Sequence, residues 1–129
     1  MTAVPDAWGS PAYHLLVAAC GKAEDLHAAY ERTGRLPLLE QAVEVFEQVL
    51  DLARNVDVRA AASNGLGTSL WSRYERSGAV DDLDRAVALF RAALALFPDE
   101  ETPATPAFRA NLAGALLLRW RRTRAPEDL

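Results

Sequence analysis

The sequence predicts an all-α protein, built as a stack of antiparallel helix hairpins with about five helices. The first observation is an internal repeat, since residues 30–50 (YERTGRLPLLEQAVEVFEQVL) match residues 74–94 (YERSGAVDDLDRAVALFRAAL) without a gap. Such self-similarity, at a period between roughly 20 and 50 residues, is typical of solenoids and arrays. The second observation is that apolar residues in each copy recur at intervals of three and four, the period of a helix. The third is a glycine at the same place in both copies, Gly34 and Gly78, where a helix commonly stops.

Start signals place the helices of the first copy. Ser10 followed by Pro11 is typical of an N-cap and the first helical position, so we expect a first helix over about 11–32. Leu36-Pro37 restarts the chain after the glycine stop, and the second helix should run to about residue 54. Residues 1–10 contain proline and glycine and are expected to form a flexible N-terminal segment.

The second copy follows the same plan. Asn55 or Asp57 should cap a third helix, which ends at Gly78. Asp81 is predicted to cap the fourth helix, with Asp84 three residues later in a position like that of a capping box. This helix should end near residue 97.

A third, partial copy begins at Trp120. The connector 99–106 (DEETPATP) precedes it, and Thr105 is predicted to cap a fifth helix over about 107–123. Residues 125–128 have the composition of a sixth helix start. The helical domain therefore covers 11–129, with units at about 11–54, 55–98 and, in part, 105–129.

Three glycines fall inside predicted helices, namely Gly65, Gly67 and Gly114. A glycine in a helix costs roughly 0.5 to 1 kcal/mol relative to alanine. We expect close approach of helix backbones, where a Cβ atom would clash, to compensate for this cost.

The repeated stretch resembles tetratricopeptide repeats. Their second helix carries a small residue, an aromatic residue four later, another small residue and then a proline, as at Ala86, Phe90, Ala93 and Pro98, while Leu66-Gly67 matches the first-helix signature. The units are longer than ordinary and are similar to the long actinobacterial repeats found beside CHAT protease-like or signalling NTPase domains. The resemblance implies a right-handed superhelical solenoid whose first helices line a concave face for peptides or partner proteins.

Alignment to that family transfers the inward-facing positions to this chain. They are Val17, Cys20, Glu24, His27 and Ala28 in the first unit, Ala61, Asn64, Thr68, Trp71 and Ser72 in the second, and Ala107, Ala110, Gly114, Leu117 and Leu118 in the third. The resemblance implies partner binding by Glu24, His27, Asn64, Thr68 and Trp71, although Trp71 is equally well explained by packing between neighbouring helices. The basic clamp of some family members is missing, because Cys20 and Glu24 replace the required Lys and Asn.

Composition and motifs favour no catalytic, metal or cofactor site. Net charge is −4, and the single cysteine, Cys20, excludes an intrachain disulfide. His14 and Cys20 project from different sides of the first helix and offer no metal-site spacing. The chain shows neither an apolar run long enough to cross a membrane nor a signal peptide, so a cytoplasmic location is expected.

The strongest charge run is Arg119, Arg121, Arg122 and Arg124. It would suit nucleic acid or an acidic partner, but the other units are basic at the matching places. A helix-end feature that complements the helix dipole is the simpler interpretation, so we expect neither nucleic acid nor membrane as a partner.

The expected function is a non-catalytic protein-interaction scaffold that binds a peptide or a protein. The alternatives are a structural self-association unit and a regulatory repeat fragment of a larger effector or signalling enzyme. Intrinsic catalysis would require a closed polar pocket with a perturbed histidine or carboxylate. The fifth helix carries apolar side chains that its own hairpin partner should cover, among them Leu117, Leu118 and Trp120. We expect either a homodimer through this helix or a continuation of the chain to cover them.

Overall fold

A computed structural model describes residues 9–124 and 126–128. Within these residues the chain forms five α-helices and a final 3-10 turn: α1 (Pro11–Thr33), α2 (Leu36–Leu52), α3 (Val56–Ser77), α4 (Val80–Ala95), α5 (Thr105–Thr123) and the turn Pro126–Asp128. Consecutive helices pack as antiparallel pairs, and α1 also contacts α3. The predicted all-α class and the five helices are thus confirmed. Of the segment predicted to be flexible, residues 1–8 lie outside the described part.

The two glycine stops are confirmed. Gly34 and Gly78 adopt left-handed backbone angles, with φ of 70° and 76°. The backbone N–H of each donates to a carbonyl four residues earlier, that of Tyr30 and Tyr74 respectively, at 2.7 Å. A residue with a Cβ atom is disfavoured in this conformation, so glycine ends both helices at little cost.

Two helix starts are also as predicted. The hydroxyl of Ser10 accepts a hydrogen bond from the backbone N–H of Tyr13 at 3.0 Å. Of the two caps considered for α3, Asn55 is the one used: its side-chain oxygen accepts from the backbone N–H groups of Asp57 at 2.9 Å and Val58 at 3.3 Å. Both caps satisfy donors that the first turn of a helix leaves unpaired.

The predicted cap at Asp81 is wrong. The residue before α4 is Ala79, with an extended backbone and no capping side chain, and Asp81 already lies in the first helical turn. A capping residue must itself be non-helical. Because only Gly78 and Ala79 separate α3 from α4, the helix has started before Asp81 is reached.

The predicted cap at Thr105 is wrong as well. Thr105 is the first residue of α5, which follows Ala104 without a side-chain cap. The Thr105 hydroxyl instead accepts a hydrogen bond from the backbone N–H of Thr102 at 2.9 Å. Its buried side chain therefore stabilises the connector between α4 and α5.

Phenylalanine rings, and not helix backbones, occupy the space left by the α3 glycines. A Cβ atom on Gly65 would lie 2.4 Å from Cζ of Phe46, and one on Gly67 would lie 2.5 Å from Cε1 of Phe90. Both rings are almost fully buried, with exposures of 1% and 0%. The expectation of close backbone approach is thus corrected at these two positions: α3 receives one ring from α2 and one from α4.

A candidate binding groove between α1 and α3

Four overlapping concavities run along the face shared by α1 and α3, and we call them together the α1–α3 groove. Neighbouring concavities have residues in common, which makes the groove continuous. The first two have volumes of about 390 and 340 Å³. The groove begins at Tyr13, Val17, Cys20, Gly21, Glu24, Asp57, Val58 and Ala61, passes His27, Asn64, Thr68, Ala104 and Phe108, and ends at Tyr30, Glu31, Trp71, Ser72, Glu75 and Arg76.

The first part of the groove is mainly apolar. Val17 is 44% exposed there, beside Tyr13 and the buried Val58. Cys20 lies in the same wall, and its burial, together with the nearby carboxylate of Glu24, raises the pKa of the thiol to about 11. Because the thiolate is the reactive form of cysteine, the raised pKa leaves little of the Cys20 side chain in that form at neutral pH.

The middle part is polar on the α3 side. The side-chain oxygen of Asn64 accepts a hydrogen bond from the amide of Asn111 at 2.9 Å, which links α3 to α5. The Thr68 hydroxyl donates to the carbonyl of Gly65 at 2.9 Å, within its own helix. Both side chains are half-buried and line the groove. Two polar side chains are thereby held in place where a partner backbone would need hydrogen-bonding groups.

His27 and Ser72 form a hydrogen bond of 2.8 Å across the groove, from Nε2 to the hydroxyl oxygen. Burial lowers the pKa of His27, while the carboxylate of Glu31, 4.0 Å away, acts in the opposite direction. Glu31 approaches the same Nε2 that binds Ser72. In a catalytic Ser-His arrangement the carboxylate must orient the other ring nitrogen. The pair therefore resembles a structural link between α1 and α3 more than an activated nucleophile.

The lowered pKa of His27 predicts a pH dependence of stability. The unfolded chain should bind a proton on this imidazole near its ordinary pKa of about 6.5, whereas the folded chain resists protonation to lower pH. Stability from this group is therefore complete above about pH 6.5 and is lost as the pH falls through the folded-state pKa. Urea unfolding at pH 7.5 and 5.5 should show this loss, and His27→Gln should reduce it. An equal loss in the variant would contradict the assignment to His27.

Trp71 both packs between neighbouring helices and lines the groove. Its ring packs edge-to-face on Phe90, with centroids 6.3 Å apart, and a Cβ atom on Gly114 would lie 2.8 Å from its Cη2 atom. The same side chain is half-buried and lines the groove beside Thr68 and Ser72. One part of the indole thus holds α3, α4 and α5 together, while another part is accessible from the groove.

Acidic side chains surround the groove. Glu24 and Asp57 lie at its first end and Glu31 and Glu75 at its other end. The guanidinium of Arg76 is the basic group at that end, but it donates to the carbonyl of Gly34 at 2.6 Å and lies 6.0 Å from the centre of the Tyr30 ring. Among the described residues, Glu24, Asp57 and Glu75 form no ion pair, so the lining has a negative charge excess.

The structure brings the five residues of the predicted site together. Glu24, His27, Asn64, Thr68 and Trp71 all line the groove. Three carboxylates of the groove were missed: Asp57, which the sequence suggested only as a cap, and Glu31 and Glu75, which lie one turn beyond the transferred positions. Helical spacing from His27 and from Trp71 would have identified Glu31 and Glu75.

The predicted interface residues lie on α5. Leu117 is 44% exposed, whereas Leu118 and Trp120 are half-buried. The guanidinium of Arg124 lies 4.5 Å from the Trp120 ring. The third unit contributes Phe108 to the groove, together with the preceding Ala104. These residues take the place of the five positions transferred for that unit, Ala107, Ala110, Gly114, Leu117 and Leu118.

No group of three or more potential metal ligands occurs among the described residues. No helix in the same part of the chain is both long and apolar enough to cross a membrane. Comparisons with protein-family models, curated proteins and solved structures produced no match to this chain.

Proposed function

We propose that this chain is a non-catalytic protein-interaction module, a tetratricopeptide-like solenoid that binds an extended segment of a partner protein in the α1–α3 groove. The observation that carries the proposal is the continuity of the groove along two helices, with an apolar first part and polar side chains beyond it. An extended segment suits this shape, because its side chains enter the concavities while its backbone meets groups such as Asn64.

The solenoid part of the proposal is supported by the repetition of structural details. Phe46 and Phe90 are buried at matching positions of the two units. The Arg76 guanidinium lies above the ring of Tyr30, and that of Arg122 lies above the ring of Tyr74, at 6.0 and 5.6 Å from the ring centres. Each cation thus contacts the preceding unit in the same way, as expected for units stacked by a repeated operation.

The charge of the groove selects the class of partner. With carboxylates at both ends and its arginine engaged with Gly34 and Tyr30, the groove favours a segment that carries lysine or arginine at both ends. The apolar first part, at Val17 and Val58, provides a place for one aliphatic or aromatic side chain. We therefore propose a basic, extended segment with an apolar anchor as the ligand.

Three 12-residue peptides test this function. They share one leucine at the same position and carry lysine, serine or glutamate on both sides of it. The lysine peptide should bind most tightly, and its affinity should fall as salt is raised from 50 to 500 mM. Isothermal titration calorimetry measures each Kd. Glu24→Gln combined with Glu75→Gln should weaken lysine-peptide binding by roughly 2- to 30-fold, because each exposed ion pair contributes about 0.2 to 1 kcal/mol.

A matched control removes two carboxylates elsewhere. Glu44→Gln combined with Glu100→Gln changes the net charge by the same amount at exposed positions that do not line the groove. This variant should bind the lysine peptide nearly as well as the parent chain does. Equal binding of the lysine and glutamate peptides, or an equal effect of both charge variants, would refute binding in the groove.

A further inference from the structure

The last described turn of the chain reproduces the junction between α3 and α4. Arg124 is a non-glycine residue with a positive φ of 59°, and it stands 46 residues after Gly78, whose φ is 76°. The Arg124 N–H donates to the carbonyl of Trp120 at 2.6 Å, as the Gly78 N–H does to that of Tyr74 at 2.7 Å. Because left-handed backbone is unfavourable for arginine, surrounding contacts must hold this turn.

An arginine–aspartate pair provides such a contact, and it too is repeated. Arg119 Nε and Nη2 donate to the two carboxylate oxygens of Asp128, at 2.8 and 2.5 Å. Arg73 binds Asp82 in the same bidentate way, at 2.8 and 2.9 Å. Each aspartate lies nine residues after its arginine. This contact lowers the pKa of Asp128, which keeps the carboxylate charged.

Each arginine also reaches back to the preceding unit. Nη1 of Arg73 donates to Glu40 on α2 at 3.0 Å, and Nη1 of Arg119 donates to Asp84 on α4 at 3.4 Å. Asp82 belongs to the first turn of α4, a helix of 16 residues. Asp128 therefore occupies the position that corresponds to Asp82, in the first turn of α4.

The face of α5 that such a helix would cover is incompletely buried. In α3 the side chains of Leu66, Leu70 and Tyr74 are 0%, 0% and 3% exposed, and α4 packs against that helix. The residues 46 positions later on α5 are Leu112, Leu116 and Trp120, and all three are only half-buried. Since the two helices carry the same apolar stripe, the fuller burial on α3 is explained by the packing of α4 against it.

We propose that α5 and the turn Pro126–Asp128 form a docking site for one further amphipathic helix, which continues from this turn and carries the apolar spacing of α4. Its inner side would present leucine, alanine, valine and phenylalanine, as Leu83, Ala86, Val87 and Phe90 do. The hydrogen bonds between Arg119 and Asp128 favour this occupant over a helix from a second copy. They fix where the further helix would begin, and they direct it antiparallel to α5. A helix arriving from another molecule would not use that turn.

The experiment appends a copy of residues 84–97 directly after Leu129, which stands 46 residues after Leu83. The control extension is identical except that the copies of Ala86, Val87 and Phe90 are replaced by glutamine. Hydrogen exchange measured by mass spectrometry should show α5 amides exchanging at least about tenfold more slowly with the apolar extension than with the control. The Tm should be higher by about 5 °C or more.

The turn is tested in the same background. Asp128→Asn should reduce the gain in Tm that the apolar extension produces, when each extended chain is compared with its own unextended parent. Equal α5 exchange in the two extensions would overturn the proposal. A dimer of the unextended chain would also overturn the proposal, because a second copy would then be the occupant. Light scattering at micromolar concentration would have to detect this dimer. Leu117→Glu would have to dissociate it and to speed hydrogen exchange of the α5 amides.

Discussion

Replacing Phe90 by alanine should lower the free energy of unfolding by about 3 to 5 kcal/mol. The ring is fully buried, packs edge-to-face with Trp71 and fills the space above Gly67. Alanine would remove these contacts and leave a cavity between α3 and α4, which the rigid helix pair cannot fully close. Since a domain of this kind is stable by roughly 5 to 15 kcal/mol, the loss would be a large part of the total.

Urea unfolding followed by far-ultraviolet circular dichroism measures this effect. Ala92→Ser on the same helix is the matched control, because Ala92 is exposed and its replacement should change stability by no more than about 0.5 kcal/mol. A loss below 1 kcal/mol for Phe90→Ala would mean that the core position of this ring is wrong. Phe46→Ala should behave similarly, since that ring is 1% exposed and meets Gly65 in the same manner.

The second large effect is expected for Gly67→Ala, which should lower the free energy of unfolding by about 1 to 3 kcal/mol. Alanine is normally the better helix residue by about 0.5 to 1 kcal/mol. Here its Cβ atom would lie 2.5 Å from Cε1 of Phe90, a ring that is itself surrounded by the core. Removing this steric overlap would require displacement of the ring or of α4, so the steric cost should exceed the gain in helix propensity.

Gly21→Ala is the control for this substitution. Gly21 lies inside α1, and a Cβ atom there would meet no neighbouring atom within 4 Å. This variant should gain about 0.5 to 1 kcal/mol, so the two glycine substitutions are expected to differ in sign. In a double-mutant cycle, Gly67→Ala combined with Phe90→Leu should cost less than the sum of the single changes, because leucine relieves the clash. Strict additivity would show that the ring is not the source of the cost.

Local sequence determined the elements and most of their ends. Gly34 and Gly78 end their helices because left-handed backbone is inexpensive only for glycine, and Ser10 caps α1 because its short side chain reaches a first-turn N–H. The repeated apolar spacing was enough to place Phe46 and Phe90 in the core. These features depend on residues within one or two helical turns, which a single sequence displays directly.

Features that depend on contacts between distant residues were decided by the tertiary structure. The choice of Ala79 over Asp81 before α4 depends on how tightly the turn after Gly78 closes. The role of Gly67 depends on a ring that stands 23 residues later in the chain. Helical periodicity could predict neither the residue that precedes α4 nor the contact between Gly67 and the ring. Periodicity shows which face of a helix is apolar, but not which residue of another helix packs against that face.

The candidate site divides in the same way. The sequence by itself, through its resemblance to a repeat family, selected Glu24, His27, Asn64, Thr68 and Trp71, and all of them line one groove. Only the packing of α1 against α3 brings His27 within 2.8 Å of Ser72, 45 residues away. Likewise, Arg119 can form its two hydrogen bonds with the Asp128 carboxylate only because the chain turns back at Arg124. Side-chain chemistry and helical spacing are properties of the sequence, whereas distances between helices arise from packing and are set by the volumes that meet in the core.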